Sequence, residues 1–332
     1  MYFDIAMPLT LLMVTVVAMF LEKRVEGKFK VVLEERELRV RDVVLLVAAM
    51  SVTISLIVFV PQMGVMILFL FSYSMLLFIF TYLFSDFQKA GAKFFSMAFL
   101  IGSFLAATIS LFNFGANTSV AYGASAFYCL FGFTFLIVLY EENRSDTTER
   151  WYLAVLPPAL FICLYMFFSR TPLWYPYLLD LYGIVFAVLI ILYLGTLFTW
   201  KTLLIFVGLL TAMDIILVLF TGAMVSAASH VSSLRLPVLI SLPTIPAIMT
   251  EQGMLYMGLG LGDFFFAGLL AIQTSKKYGK KLAVLSIIAM AASFFIFETF
   301  MLNYKWSAFP GTLMIICGWL PIVIGKRIAK LF

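Results

Sequence analysis

Eleven long apolar runs, separated by short polar segments, constrain this chain more than any other feature of its sequence. Each run is close to the length of roughly 20 residues that a helix needs to cross a bilayer. The runs are continuously apolar, whereas a transmembrane β-barrel needs short segments of alternating polarity. The sequence therefore predicts an all-α polytopic membrane protein with spans at about 5–21, 43–60, 64–84, 94–114, 120–140, 152–169, 177–198, 203–222, 253–273, 282–302 and 307–325.

The composition supports a lipid environment and excludes several other classes. The 332 residues are 64% hydrophobic and 12% charged, whereas soluble domains are about half apolar and about a quarter charged. The net charge of +5 lies mostly in loops, so it indicates membrane topology rather than a nucleic-acid partner. Cys129, Cys163 and Cys317 lie in apolar runs without metal-site spacing, and we expect them to be packing residues.

Lysine and arginine are distributed unevenly between the two sides of the membrane that these spans define. If every run crosses, 19 of the 22 lie on one side, and only Arg170, Arg235 and Lys305 lie on the other. Cytoplasmic loops carry the excess of positive charge in membrane proteins. The sequence therefore predicts an N-terminus outside and a cytoplasmic C-terminus.

Two connecting segments differ from ordinary short loops. Segment 22–42 has mixed charge and predicts a cytoplasmic connector that is a loop or a short surface helix. Segment 223–252 is apolar and contains Pro237, Pro243 and Pro246. Because prolines disfavour a regular helix, we expect a partly re-entrant or interfacial segment there, on the outer side.

Four acidic residues lie inside the predicted spans, where an ionised carboxylate costs roughly 2.5 kcal/mol or more at the centre of a helix. Asp180 and Glu298 lie near the outer ends of their spans, so we expect their side chains to reach interfacial water. Asp214 and Asp263 lie near the middle of consecutive antiparallel spans. At 1.5 Å per residue both are roughly 12–15 Å from the outer ends, so the two can face each other.

A facing pair of carboxylates in a low dielectric shares one proton, because both cannot easily hold a charge. One carboxylate can then take a proton from water while the other polarises a peptide carbonyl. Depth and spacing alone leave three interpretations: a proton or cation relay, an aspartyl protease, and a structural pair. Gly258, Gly260 and Gly262 precede Asp263 and shift the balance toward a protease, since glycine loosens a helix where water and peptide must enter. Close helix packing is the alternative role for these glycines.

The residues around both aspartates resemble one known family. Gly260-Leu261-Gly262-Asp263 is a GxGD motif, and its surroundings, GLGLGDFFF, closely resemble the seventh helix of the presenilin and signal peptide peptidase family of intramembrane aspartyl proteases. The stretch AMDIILVLFTG resembles the sixth-helix aspartate region, with Met213 where the family usually has tyrosine. LRLPVL resembles the segment between the catalytic helices in archaeal members. SAFPGTLMIICG aligns with the Pro-Ala-Leu element of the last helix and keeps only its proline, in Pro310-Gly311-Thr312.

The resemblance covers roughly residues 64–332 and implies a presenilin-like nine-helix core over 63–332. It leaves 1–62 as an N-terminal addition with two transmembrane helices and the charged connector. It implies hydrolysis of peptide bonds within transmembrane segments, with Asp214 and Asp263 as the catalytic pair and with no metal or cofactor. The residues implied to bind or position substrate are Gly260, Leu261, Gly262, Phe309, Pro310, Gly311 and Thr312. The predicted orientation is similar to that of signal peptide peptidases and implies substrates with an N-in, C-out helix, such as signal-peptide remnants.

Other intramembrane chemistries lack their residues in this sequence. His230 is the single histidine, whereas an HExxH zinc site needs two, and Ser125 has no histidine in a membrane span to activate it. Two rival functions stay open: a transporter or channel that uses the aspartates as a relay, and a weakened family member that binds helices without cleaving them. The sequence is compatible with either a monomer or an oligomer.

Overall fold

The computed structural model describes residues 2–32, 38–84, 89–113, 118–144, 151–250, 253–304, 306 and 308–328. Most of the described chain is helical, and four short strands lie between the ninth and the tenth helices. The helices are α1 (Ala6–Val32), α2 (Val40–Leu56), α3 (Gln62–Leu83), α4 (Lys89–Asn113), α5 (Thr118–Arg144), α6 (Leu156–Phe168), α7 (Leu179–Gly195), α8 (Trp200–Ile215), α9 (Ala223–Ser232), α10 (Leu261–Tyr278), α11 (Lys280–Tyr304) and α12 (Gly311–Ile328). The strands are β1 (Leu239–Pro243), β2 (Met249–Thr250), β3 (Gly253–Met254) and β4 (Tyr256–Gly260).

Eight helical stretches in the described chain are long and apolar enough to cross a membrane, and two shorter apolar helices accompany them. Large apolar side chains are exposed along these helices, among them Phe59, Phe112 and Phe220. An exposed apolar surface of this kind suits contact with lipid. The protein is therefore an all-α, multi-pass membrane protein, as the sequence predicts.

The chain forms two compact units, and the first comprises Met1–Phe69 with Tyr175–Phe332. Its central element is α10, which packs against α1, α7, α8, α11 and α12. Every residue of α10 from Phe264 to Thr274 is buried. The N-terminal helix is thus part of the same compact unit as the GxGD segment.

Glycine and polar side chains allow the helices around α10 to pack closely. A Cβ at Gly268 would lie only 2.5 Å from the Ile191 side chain of α7, so glycine permits this contact. The buried amide of Gln273 donates to the carbonyl oxygens of Gly195 (3.2 Å) and Phe198 (2.7 Å). These bonds satisfy one carbonyl group at the last residue of α7 and one in the connection to α8, where no further helical N–H follows.

The contact between α11 and α12 is also close. A Cβ at Gly318 would overlap the main chain of Ala289 and Met290. The Ser293 hydroxyl donates to the carbonyl oxygen of Met314 at 2.7 Å. Small residues and interhelical hydrogen bonds are the usual means of helix association in lipid.

The predicted span 253–273 is wrong over its first eight residues. Residues Tyr256–Gly260 form β4, which pairs antiparallel with β1 in a register that places Ser241 opposite Gly258. Glycines at alternate positions weaken a helix, and a neighbouring strand supplies the hydrogen bonds that the helix would have made. Helix α10 therefore begins only at Leu261, and Asp263 lies in its first turn rather than near the middle of a span.

The two connecting segments 22–42 and 223–252 also differ from simple loops. Helix α1 continues to Val32, so the first part of the charged connector 22–42 is helical, and residues 33–37 lie outside the described chain. Segment 223–252 contains helix α9 followed by strand β1. The prolines at 237, 243 and 246 lie after α9, in agreement with the expectation that they exclude a regular helix.

The second unit comprises Leu70–Trp174. Helices α4 and α5 form its main contact, in which phenylalanine rings of the two helices meet tilted or edge-on. Phe99 and Phe131 lie 5.2 and 5.1 Å from the ring of Phe135, which is buried with Ala92 and Leu156. Aromatic pairs at these distances stabilise a contact beyond the area they bury.

Candidate active site

The first two residues of α12 lie beside both of the aspartates that the sequence singled out. Thr312 hydrogen-bonds to Asp214 of α8, and Gly311 lies against Asp263 of α10. The two carboxyl groups are close enough to interact electrostatically. Three separate elements of the first unit therefore bring Asp214, Asp263 and the Gly311–Thr312 dipeptide to one place.

Asp214 is held by hydrogen bonds from a single residue. The Thr312 hydroxyl donates to Asp214 Oδ2 at 2.7 Å, and the Thr312 backbone N–H donates to the same oxygen at 3.2 Å. Thr312 is the second residue of α12, and N–H groups in the first turn of a helix have no partner within it. The carboxylate therefore satisfies a donor that the helix itself leaves open, and Asp214 is only 7% exposed.

The local sequence of α8 explains where Asp214 sits along the helix. Thr199 caps the N-terminus by accepting from the Thr202 backbone N–H at 3.3 Å, which satisfies one open donor of the first turn. Asp214 is the second-last residue of the regular helix, and a wider turn at Ile216–Phe220 follows it. Turns of this π type occur often at functional sites.

Asp263 is the third residue of α10, directly after the hairpin. From this position a carboxylate can reach back toward the backbone N–H of the N-cap residue, which is Gly260. Helix N-termini also favour negative charge. The strand-to-helix junction thus fixes Asp263 at the edge of the sheet rather than within a continuous helix.

Gly311 provides the space that the Asp263 side chain occupies. A Cβ at Gly311 would lie 2.6 Å from Asp263 Cγ and would also overlap both carboxylate oxygens. A distance this short requires the aspartate to move. Gly311 and Thr312 therefore have separate local roles: glycine accommodates one aspartate and threonine binds the other.

Among the other predicted site residues are Leu261, Gly262, Phe309 and Pro310, which are neighbours of Asp263 or Gly311 in the sequence. Leu261 is buried in the packing of α10, and Gly262 has open space where a Cβ would stand. Pro310 is buried just before α12. Phe309 stacks on Phe297 with ring centroids 5.2 Å apart, which fixes the segment that leads into the site.

Sequence reasoning assigned Asp180 and Glu298 to interfacial water, and this is wrong for both. Asp180 is 7% exposed and Glu298 is 2% exposed. Asp180 Oδ1 accepts the backbone N–H of Ser241 in β1 at 2.8 Å. No local pattern indicates this contact, because it depends on strand β1, which lies where the sequence predicts a re-entrant or interfacial segment.

Asp4 is a further buried acid that the sequence analysis did not single out. It accepts the backbone N–H groups of Ala6 and Met7 at the start of α1, and that of Ile245 at 2.7 Å after β1. Its position before an apolar run is typical of an N-cap, so the cap, though not the second contact, was readable from the sequence.

The arrangement can support acid–base chemistry on a water molecule held between two carboxyl groups. In the described part of the chain, no three His, Cys, Asp or Glu side chains come together in a group that could hold a metal ion. Comparisons with known protein families, curated proteins and solved structures find no match for this chain.

Proposed function

We propose that this protein is an intramembrane aspartyl protease of the presenilin and signal peptide peptidase type. It hydrolyses peptide bonds within transmembrane segments of other membrane proteins. The observation that carries the proposal is the joint contact of Asp214 and Asp263 with Gly311–Thr312 at the start of α12. The GxGD motif of Gly260–Asp263, which resembles the motif of that family, also supports the proposal.

The proposed reaction uses the two carboxyl groups with one proton between them. The ionised group takes a proton from water, and the resulting hydroxide attacks the carbonyl carbon of the scissile peptide. The protonated group donates a hydrogen bond, and then its proton, to the carbonyl oxygen. Collapse of the resulting gem-diol breaks the C–N bond. The departing nitrogen takes the proton of the protonated carboxyl group, and one hydroxyl of the diol returns its proton to the other carboxylate, so the pair again holds one proton.

The edge of β4 supports a peptide substrate over an ion. In the observed register the N–H groups of Leu259 and Leu261 point toward β1, so the N–H and C=O of Gly258 point away from it. Gly258 is exposed and lies five residues before Asp263. An unwound substrate segment needs backbone partners in lipid, and pairing with an exposed strand edge supplies them.

The distribution of cations supports an orientation with the C-terminus in the cytoplasm and the hairpin toward the outside. In this orientation the proposed substrates are helices with an N-in, C-out direction, including signal-peptide remnants. The proposal also places a presenilin-like nine-helix core within the chain, surrounded directly by the lipid bilayer.

The direct test is cleavage of a reconstituted single-span substrate of N-in, C-out direction by the wild type, Asp214→Ala and Asp263→Ala. We expect cleavage by the wild type alone, and inhibition by a transition-state analogue of aspartyl proteases. Ion flux that depends on both aspartates, without cleavage, would instead establish a relay. Binding of the substrate helix without cleavage or flux would establish a helix-binding protein.

A further inference from the structure

Strand β1 has two edges, and β4 occupies only one of them. On the other edge, the backbone N–H groups of Ser241 and Ile245 point away from β4, and each has an acceptor. The Ser241 N–H donates to Asp180 and the Ile245 N–H donates to Asp4. Pro243, between them, has no N–H to donate.

Helix α7 packs closely against this edge of β1. Asp180 and Gly183 are three residues apart and therefore lie on the same face of the helix. A Cβ at Gly183 would lie 2.9 Å from Ile240 Cγ1, so glycine allows β1 to approach closely. The neighbouring carboxylate then reaches the Ser241 N–H at 2.8 Å.

The segment just before α1 holds the chain just after β1. The Ile5 backbone N–H donates to the Ile245 carbonyl at 2.9 Å, while Asp4 accepts the Ile245 N–H at 2.7 Å. The two bonds fix both backbone groups of Ile245. Helix α7 and the segment before α1 thus hold β1 and the residues that follow it, on the side opposite to β4.

These contacts leave β4 as the edge that can accept another strand, and they fix its position. A shift of β1 by one residue would turn every outward group of the hairpin to the other side. Because β4 continues directly into α10, the position of Gly258 relative to Asp263 follows from the position of β1.

We propose that Asp180 is a positioning residue that sets where a substrate strand pairs with β4, and therefore which peptide bond meets the aspartates. The proposal rests on the proposed protease function. Asp180 acts through Ser241 and the hairpin, without touching the reacting atoms. Asp4 supports the same strand, but it also caps α1, so its substitution would disturb two structures at once.

The test compares Asp180→Leu, Asp180→Asn and the wild type. Asparagine keeps an oxygen that can accept the Ser241 N–H, whereas leucine has none. Leu181→Ala is the matched control, since Leu181 is the next residue of α7 and is 57% exposed. The first measurement is amide hydrogen exchange of the segment from Leu239 to Gly260 in each purified protein.

We expect at least a tenfold faster exchange of the hairpin amides in Asp180→Leu, and wild-type exchange in Asp180→Asn and Leu181→Ala. Mass spectrometry of the cleavage products then reads the bond that is cut. We expect Asp180→Leu to cut at several neighbouring bonds with a KM raised several-fold, while Asp180→Asn cuts at the wild-type bond. Wild-type exchange in Asp180→Leu, or an unchanged product pattern despite faster exchange, would overturn the proposal.

A separate measurement keeps this proposal distinct from the protease function. An extended apolar peptide with a photoreactive group is cross-linked to each protein, and the attachment site is mapped. We expect attachment to β4 in the wild type and Asp180→Asn, and a loss or spread of attachment in Asp180→Leu. If the wild type cleaves nothing yet this pattern holds, only the protease function fails. If the attachment pattern is the same in all three proteins, the role of Asp180 fails.

Discussion

The two aspartates of the site are held in opposite ways. Asp214 lies near the end of a regular helix and is fixed by two hydrogen bonds from Thr312. Asp263 lies in the first turn after a strand and fits because Gly311 has no side chain. The Asp214 carboxyl group therefore depends on α12 for hydrogen-bond donors, whereas the Asp263 carboxyl group depends on it for room. Substitutions at Gly311 and Thr312 should therefore affect the two aspartates by different mechanisms.

Removal of either carboxyl group should have the largest effect. Asp214→Ala and Asp263→Ala are each expected to lower kcat by about 10⁴-fold or more, because residues that act as a unit are lost together. The double variant should be no worse than either single one. Asp42→Ala, an exposed acid at the start of α2, is the control and should cleave like the wild type. Additive losses in the double variant would argue against a shared proton.

Gly311→Ala should have the next largest effect. The added Cβ would overlap the Asp263 carboxylate, and a displacement of about 1 Å can cost 10²-fold in rate. We expect kcat to fall by about 10²-fold with little change in thermal stability. Gly325→Ala is the matched control, because nothing lies within 4 Å of a Cβ at that position of the same helix. Equal activity of the two variants would contradict the close contact.

Thr312→Ala should have a smaller effect than Gly311→Ala. It removes the hydroxyl donor to Asp214 but leaves the backbone N–H bond in place. A hydrogen bond to a charged group contributes about 1.5–3 kcal/mol, and we expect a fall in kcat of about tenfold. Thr312→Ser keeps a hydroxyl and should restore most of the activity. If serine and alanine behave alike, the hydroxyl has no role in holding Asp214.

Gly258→Ala should have the smallest effect. The nearest atoms to a Cβ there are Leu239 Cδ1 at 3.5 Å and Ser241 Oγ at 3.7 Å, which are ordinary contact distances. We expect less than a threefold change in KM. Gly258→Pro keeps the β1 pairing but removes the outward N–H, and it should raise KM much more. Similar KM values for alanine and proline would show that substrate does not pair at this edge.

The sequence predicts one part of this site well and another part poorly. The aspartates and the Pro310–Thr312 element carry local signals, namely charges in apolar runs and a motif, and the structure brings them together. The start of α10 was misplaced because apolarity alone does not separate a strand from a helix. The contact between Asp180 and Ser241 joins residues 61 positions apart, and no periodic pattern reports on such a pairing.

The close approach of α11 and α12 at Gly318 has a consequence for the angular setting of the last helix. Gly318 follows Gly311 by seven residues, which is about two turns, so the two glycines lie within about 20° of each other around the helix axis. The main chain of Ala289 blocks rotation of α12 at Gly318. Turning α12 by a single residue would swing Thr312 through about 100°. The direction in which Thr312 points toward Asp214 is therefore set by the backbone contact at Gly318, about 10 Å further along the helix. That contact takes no part in the proposed reaction.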